Sequence, residues 1–420
     1  MITNPPKTSE MKNQHGASAV VVAIALITLL GFAALAIDVG YLYSTRNELQ
    51  NIADGAALAA TRQLGTEYQA LSYQDQQTYV CNPATIVPVA QAVALKNQAA
   101  KVNIVINSAD VIIGTWDGST LTPTLNQPDA VGVIARRDSA ANSPVTTFFA
   151  AVFKIFGGNL DTVAINADAI AALSGLGETD TSDLELPIGV DEDWFGDEPM
   201  NPYPDGYCGK QIKFSPTVDP EACGGWTSWT FGANDNNLRQ ILEGTLTSPP
   251  LGVGDPINFI GGDLSVPTFD DLLNLFKDRG YDVHQSALDA DGNLISPGEA
   301  PMPADGTLDT PTTGPLPADN PNVRNLMDAD GNPLYYPDGT TQRNAHVWIT
   351  KIVVYESENC DNPNQSINIA GFATIVLTDV LGPPDKLVQG TILCDYVTPS
   401  NNRGGGGIYG TFGPIPGLVE

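Results

Sequence analysis

The chain contains little positive charge. Lys and Arg number 19 against 48 Asp and Glu in 420 residues, which gives a formal net charge of −29. A protein of that sign repels phosphates, so the composition excludes a nucleic-acid-binding function. Charged residues make up only 16% and hydrophobic residues 42%, a balance that excludes a disordered acidic tail. The length predicts two or three folded units.

Histidine is scarce, and the common catalytic motifs are missing. His15, His284 and His346 are far apart, so the sequence has neither a His-Glu-x-x-His helix nor a cluster of zinc ligands. It also lacks the Gly-x-Ser-x-Gly elbow and the Gly-x-x-x-x-Gly-Lys-Ser/Thr phosphate loop. We therefore expect a non-enzymatic protein without a cofactor.

A long apolar run lies near the N-terminus. Residues 17–37 contain no charged side chain and are long enough, at about 1.5 Å per residue, to cross a hydrocarbon core of about 30 Å. Lys7 and Lys12 precede this run and Asp38 follows it, so the positive-inside rule predicts a cytoplasmic leader at residues 1–16 and export of the remainder. A cleaved signal peptide is the alternative, because residues 34–36 read Ala-Leu-Ala. The helical pattern continues beyond that point, which favours an anchor.

The run continues into a predicted stem helix at residues 38–65. Its apolar residues recur at helical spacing, and the second half of that face is rich in alanine, which permits close approach of a neighbouring element. Gly65 is predicted to end the helix. Span and stem together predict one helix of about 48 residues. The predicted packing or partner face consists of Leu49, Ile52, Ala53, Ala56, Ala57 and Ala60.

This N-terminal region resembles that of TadG-like proteins of the Tad (tight adherence, Flp-type) pilus system. The matching elements are Gly16-Ala17, the apolar span, Asp38-Val39-Gly40 and the alanine-rich run at residues 53–60. The resemblance implies a membrane-anchored component or minor pilin-like subunit of pilus biogenesis in a bacterial inner membrane. It also implies a role in surface adherence, and partners among the pilus secretion machinery and pseudopilin-like subunits. The alternative is an exported adhesin or ligand-binding module with a TadG-like anchor.

The predicted fold class is α+β. Residues 66–175 are predicted to form a mixed α/β domain with helices at 86–100 and 144–156 and strands at 102–106, 111–116, 130–136 and 162–170. Taken with the long N-terminal helix, the resemblance implies a pilin-like arrangement for this domain. Residues 176–420 carry 10 basic and 36 acidic side chains. They are predicted to be β-rich, with a Pro-rich loop near 296–322, a short helix at 271–278 and strands at 346–355, 367–378 and 388–396.

Two near-identical Asp-Ala-Asp-Gly-Asn strings raise the question of a Ca²⁺ site. Their oxygen ligands alternate as in a calcium loop, but glycine comes fourth, whereas an EF-hand loop needs it sixth. Hairpin turns are the alternative and the favoured interpretation, because glycine and asparagine tolerate positive φ. The weak candidate ligands are Asp289, Asp291, Asn293, Asp328, Asp330 and Asn332.

Cysteine is also scarce, and no two cysteines have the Cys-x-x-Cys spacing of a zinc or redox site. In an oxidising exported compartment the economical pairings are Cys208 with Cys223 and Cys360 with Cys394, although four cysteines allow three connectivities. Cys81 is then a buried free thiol.

Residues 223–231 form the most aromatic segment. Trp226, Trp229 and Phe231 suit a binding patch, because aromatic side chains bury large areas at interfaces. A core strand is the alternative and the favoured interpretation.

Overall fold

The computed structural model describes residues 15–71, 73–150, 161–195, 211–214, 224–261, 265–282, 346–356, 365–381 and 386–419. The chain divides into two compact units. Unit 1 comprises Met1–Ala57, Val87–Ile112 and Gly132–Ala169, and unit 2 comprises Leu58–Ile86, Ile113–Val131 and Ile170–Glu420. The domain limits that composition predicts near residues 65 and 175 stay a prediction.

Five α-helices occur in the described part of the chain: α1 (His15–Gln69), α2 (Tyr73–Gln77), α3 (Pro83–Leu95), α4 (Asp235–Leu242) and α5 (Val266–Arg279). The continuous α1 confirms the prediction that span and stem form one helix. The predicted end at Gly65 is wrong, because α1 continues to Gln69.

The predicted helix at 86–100 corresponds to α3, which begins and ends earlier. Pro83 is its first residue, a position where proline loses no helical hydrogen bond, and Asn82 Oδ1 accepts a hydrogen bond from the Ala84 N–H. Beyond α3 the chain forms a short hairpin, in which Ala100 and Lys101 have φ values of 50° and 63°. Positive φ is incompatible with a right-handed helix, so the predicted helix could not extend to Ala100.

Short strands fill the first half of the chain: β1 (Gln98–Ala99), β2 (Val102–Asn103), β3 (Val111–Trp116), β4 (Leu121–Pro123), β5 (Ala130–Arg137), β6 (Val145–Thr146), β7 (Thr162–Val163) and β8 (Ile165–Leu176). The strands predicted at 111–116 and 130–136 are confirmed. The one predicted at 162–170 is divided between β7 and β8, and only Val102–Asn103 of the predicted strand 102–106 is formed.

The helix predicted at 144–156 is wrong at its start. Val145 and Thr146 form β6, which pairs antiparallel with β7 through Val145 with Val163 and Thr146 with Thr162. β-branched side chains favour that extended conformation. Residues 151–160 lie outside the described residues.

The second half contains β9 (Glu178–Thr179), β10 (Ile188–Asp191), β11 (Gln211–Phe214), β12 (Gly224–Thr227), β13 (Leu251–Gly252), β14 (Pro256–Ile260), β15 (Tyr281–Asp282), β16 (His346–Tyr355), β17 (Ser366–Leu381), β18 (Leu387–Leu393), β19 (Tyr396–Val397), β20 (Gly404–Gly406) and β21 (Thr411–Leu418). The strands predicted at 346–355 and 367–378 are confirmed. The one predicted at 388–396 is divided between β18 and β19. The predicted helix 271–278 lies within α5.

An eight-stranded sheet has the order β11-β18-β17-β14-β12-β10-β16-β15, and β17 also pairs with β16, so part of the sheet closes on itself like a barrel. A single long strand makes this closure, because β17 contacts β14 near its start, β16 along its middle and β18 towards its end. The core that α4 and α5 complete contains Trp226 against Phe269, with ring centroids 5.5 Å apart.

A seven-stranded sheet has the order β19-β21-β8-β5-β3-β4, with β20 also paired to β8. Its strands β19, β20 and β21 come from the last 25 residues of the chain. In β21, Phe412 is opposite Gly175 and Leu418 is opposite Ala171. The C-terminal segment therefore completes a sheet that begins about 300 residues earlier in the sequence.

Candidate functional site

The stem half of α1 is buried along the face that the sequence predicts. The exposed fraction of Ile52 is 3%, and it is zero for Leu49, Ala53, Ala56, Ala57 and Ala60. Within unit 1, a Cβ added at Gly55 would lie 3.7 Å from Val93 Cγ1 of α3, an ordinary van der Waals contact. Small side chains on the helix thus allow neighbouring elements to approach closely, and the chain itself covers much of the face that was open to a partner helix.

Polar side chains at the edges of this face fix the position of the stem within unit 1. Glu48 Oε2 accepts a hydrogen bond of 2.7 Å from the Ala100 N–H. Gln50 Nε2 donates bonds of 2.8 Å to Asp54 Oδ1 and to the Asp168 carbonyl oxygen. Because Ala100 and Asp168 are distant in sequence from the stem, the bonds to them hold α1 in one register along unit 1.

Asp38, the first residue beyond the apolar run, accepts three backbone hydrogen bonds within unit 1. Its side chain is 2% exposed. Oδ1 accepts the Phe148 N–H at 2.8 Å, and Oδ2 accepts the Phe149 and Ala150 N–H groups at 3.0 and 2.6 Å. Burial alone would raise the pKa of Asp38, but the three N–H groups stabilise the carboxylate and lower its pKa below the usual value. We call this contact the Asp38 clasp.

The Asp38 clasp is not predictable from local sequence, because its two sides are separated by about 110 residues. The one available signal is a charged residue directly after an apolar span, a pattern that by itself indicates only a membrane boundary. The structure adds that the charge is buried and satisfied by backbone N–H groups.

Aromatic side chains surround the clasp. The rings of Tyr41 and Phe148 are in contact, with centroids 5.0 Å apart. Phe148 is nevertheless 62% exposed, Phe149 is 42% exposed and Tyr43 is 67% exposed. Large apolar side chains are thus presented at the level where the apolar run ends.

The C-terminal turns of α1 belong to unit 2 and contact the last strands of the chain. Arg62 donates from Nη1 to the Pro414 carbonyl oxygen at 2.9 Å and from Nη2 to Asn401 Oδ1 at 2.8 Å. A Cβ at Gly65 would lie only 2.4 Å from the same Pro414 oxygen. Gly65 therefore permits close approach of α1 and β21, which explains a glycine inside the helix.

Unit 2 contains a cavity of about 250 Å³ near this end of α1. Its polar lining residues include Tyr68, Gln76, Asp129 and Asp395. The pKa of Asp129 is raised to about 6, chiefly by burial and further by the charge of Asp395, while the Trp116 N–H opposes the shift. No group of three or more metal-ligating side chains occurs among the described residues.

Cys81 is a free, buried thiol, as the sequence analysis expects. Burial raises its pKa, so the thiol stays protonated at neutral pH. Cys394 is buried, but Cys208, Cys223 and Cys360 lie outside the described residues, and both disulfide pairings stay predictions.

Two further sets of candidate residues remain, the aromatic segment at 223–231 and the possible calcium ligands. Trp226 and Trp229 are 0% and 1% exposed and Phe231 packs against the core, so they do not form an exposed binding patch. Only Trp226 lies in a core strand, because β12 ends at Thr227. The six candidate calcium ligands fall in 283–345, outside the described residues. Their role stays a prediction.

Comparison with known proteins identifies the N-terminal segment. Residues 16–63 match the family model described as Tad, a putative Flp pilus-assembly TadE/G-like domain. No curated protein and no solved structure matches the chain. In the described part of the chain, Ser18–Gln69 is the one helix long and apolar enough to span a membrane, with a mean hydropathy of 2.9 in its most apolar window. This helix fits a single-pass anchor. The family match at residues 16–63 covers both the apolar span and most of the buried stem.

Proposed function

From the TadE/G-like anchor and stem, we propose that this protein is a non-enzymatic, membrane-anchored component or minor pilin-like subunit of Tad/Flp pilus biogenesis. Its N-terminus lies in the cytoplasm of a bacterial cell, the helix spans the inner membrane, and the bulk of the chain is exported. The pilus secretion machinery and pseudopilin-like subunits are its partners.

The observation that carries this proposal is the construction of α1. An apolar span with no buried residue in its most apolar window continues without a break into a stem whose small-residue face is buried. Such a helix connects the membrane span rigidly to the folded part of the chain, with no flexible linker between them. A component that supports assembly from the membrane needs that coupling.

The test is complementation of a deletion strain with the full chain. Pilus number and the distribution of the protein between sheared pili and inner membrane are measured together. Recovery in sheared pili identifies a subunit, and recovery only in the membrane identifies an assembly component. Normal piliation of the deletion strain would contradict the proposal.

A matched pair of variants connects the result to the stem. Asp38→Ala removes the acceptor of three backbone N–H groups, whereas Arg46→Lys changes an exposed side chain on the same helix and keeps its charge. We expect the first to reduce piliation and the second to leave it unchanged at equal protein level.

A role in surface adherence through unit 2 is the second candidate. It is favoured by the acidic excess beyond residue 176, which lies outside the family match. A deletion strain that piliates normally but no longer adheres would assign the chain to this adhesin function.

A further inference from the structure

We propose that Tyr41, Tyr43, Phe148 and Phe149 form a second membrane contact, in which unit 1 inserts aromatic side chains into the lipid interface of the bilayer that α1 spans. We call these four residues the membrane-proximal aromatic surface. The proposal rests on the single-pass anchor of the proposed function and adds a lipid-binding surface outside the span.

The first support is position along the helix. Residues 17–37 rise about 31 Å at 1.5 Å per residue, which matches a hydrocarbon core of about 30 Å. Asp38, directly after this run, therefore lies at the level of the lipid headgroups. Its three hydrogen bonds, of 2.6 to 3.0 Å, hold the backbone of residues 148–150 at that level. The Asp38 clasp thus places Phe148 and Phe149 at the bilayer surface.

The second support is the chemistry of the surface. Phe148 is 62% exposed and Tyr43 is 67% exposed, so large aromatic side chains face outward where the bilayer begins. Tyr side chains concentrate at membrane interfaces because they are amphipathic, and exposed Phe side chains favour the boundary between headgroups and acyl chains because they are apolar. The Tyr41 and Phe148 rings are in contact, and large exposed apolar patches mark contact sites.

The third support is electrostatic. The chain is strongly acidic, and exposed carboxylates would disfavour approach to anionic headgroups. The Asp38 carboxylate at this surface is buried and accepts hydrogen bonds from three backbone N–H groups. The negative charge that fixes the loop is therefore shielded from the lipid by the loop itself.

The experiment places a tryptophan in the surface of the full chain, reconstituted into phosphatidylcholine vesicles whose acyl chains are brominated near the headgroup. Bromine quenches tryptophan fluorescence on contact. Phe148→Trp is the test variant and Phe149→Trp is a second test variant, in case the first does not fold. The signal of the five native tryptophans is subtracted with the wild-type protein.

Two controls set the scale. Leu29→Trp lies in the middle of the span and, in parallel vesicles whose acyl chains are brominated near their methyl ends, reports whether α1 is inserted. Val102→Trp also replaces an exposed residue of unit 1. Val102 pairs with Ala99, and the N–H of the adjacent Ala100 binds Glu48. Glu48 lies ten residues beyond Asp38, about 15 Å further along α1, so Val102 serves as the control away from the Asp38 clasp.

We expect quenching of the added signal in Phe148→Trp to be at least about threefold stronger than in Val102→Trp, because aromatic side chains at the clasp reach the interface. Adding Asp38→Ala to the Phe148→Trp protein should reduce that quenching, whereas adding Asp38→Asn, which keeps an acceptor oxygen, should reduce it less.

The outcomes separate the two proposals. If Leu29→Trp is quenched but neither aromatic variant exceeds Val102→Trp, the anchor stands and the lipid contact is refuted, which leaves the surface to water or to a protein partner. If Leu29→Trp is not quenched, α1 is not a membrane anchor and both proposals fail.

Discussion

Gly65→Ala tests whether α1 is packed against the end of the chain as closely as the structure shows. The added Cβ would lie 2.4 Å from the Pro414 carbonyl oxygen and 3.2 Å from Leu173 Cδ2. Non-bonded carbon atoms in good contact lie about 3.5 to 4.0 Å apart, so α1 and β21 must separate by about 1 Å. The obstacle is a backbone carbonyl, which no change of rotamer can remove.

Three contributions determine how much Gly65→Ala lowers the free energy of unfolding. Overpacking costs about 1–3 kcal/mol. The separation also weakens the bond from Arg62 to the Pro414 oxygen, and a bond to a charged group contributes about 1.5–3 kcal/mol when intact. Replacing glycine by alanine in a helix stabilises the helix by about 1 kcal/mol, which offsets part of this loss. We therefore expect Gly65→Ala to lower the free energy of unfolding of unit 2 by about 2 kcal/mol.

Gly55→Ala is the matched control on the same helix. Its Cβ would lie 3.7 Å from Val93 Cγ1, so the helical propensity gain of up to about 1 kcal/mol should remain. All five tryptophans of the sequence lie in unit 2, so their fluorescence during urea unfolding of the full chain in mild detergent reports that unit. Circular dichroism reports α1. The close packing would be refuted if Gly65→Ala were as stable as wild type, or if both variants changed the free energy of unfolding by the same amount.

Three further predictions address the stem, a buried carboxyl and the cysteines. Ala56→Leu should cost about 1–3 kcal/mol in unfolding free energy by overpacking a fully buried site, while Arg46→Lys should be silent, as circular dichroism during thermal unfolding can determine. Because the folded pKa of Asp129 is raised to about 6, the stabilisation from its neutral form is complete below about pH 4 and is lost as pH rises through 6. Asp129→Asn should therefore stabilise the protein at pH 8 relative to wild type and lose that advantage at pH 4, and an equal difference at both values would contradict the assigned pKa. Non-reducing peptide mapping should find Cys81 free and the bridges Cys208–Cys223 and Cys360–Cys394, and a bridge that includes Cys81 would overturn this assignment.

The parts of the fold that sequence predicts are those governed by local periodicity. The span is a continuous apolar run and the stem shows helical spacing, from which the buried face from Leu49 to Ala60 follows directly. Strand β16 was predicted with its observed limits because ten mostly apolar and β-branched residues leave little alternative.

The parts that sequence did not predict depend on distant contacts. Gly65 looks like a helix end because glycine is a frequent C-terminal signal, yet its reason is a carbonyl oxygen about 350 residues away. The Asp38 clasp and the return of β21 to β8 likewise join segments whose sequences contain no complementary signal. Trp226 and Trp229 could equally serve an interface or a core, and only tertiary packing decides between them.

The continuity of α1 has a rotational consequence. Each residue of a helix turns the chain by about 100°, and no flexible joint interrupts α1 between the span and Asp38. Any rotation of the span about its own axis therefore turns Asp38 and the attached unit 1 through the same angle. Inserting one residue between Ile37 and Asp38 would change the azimuth of unit 1 by about 100° relative to the span while raising it by only about 1.5 Å. The orientation of unit 1 about the membrane normal is thus set by how the span is rotated about its own axis in the bilayer.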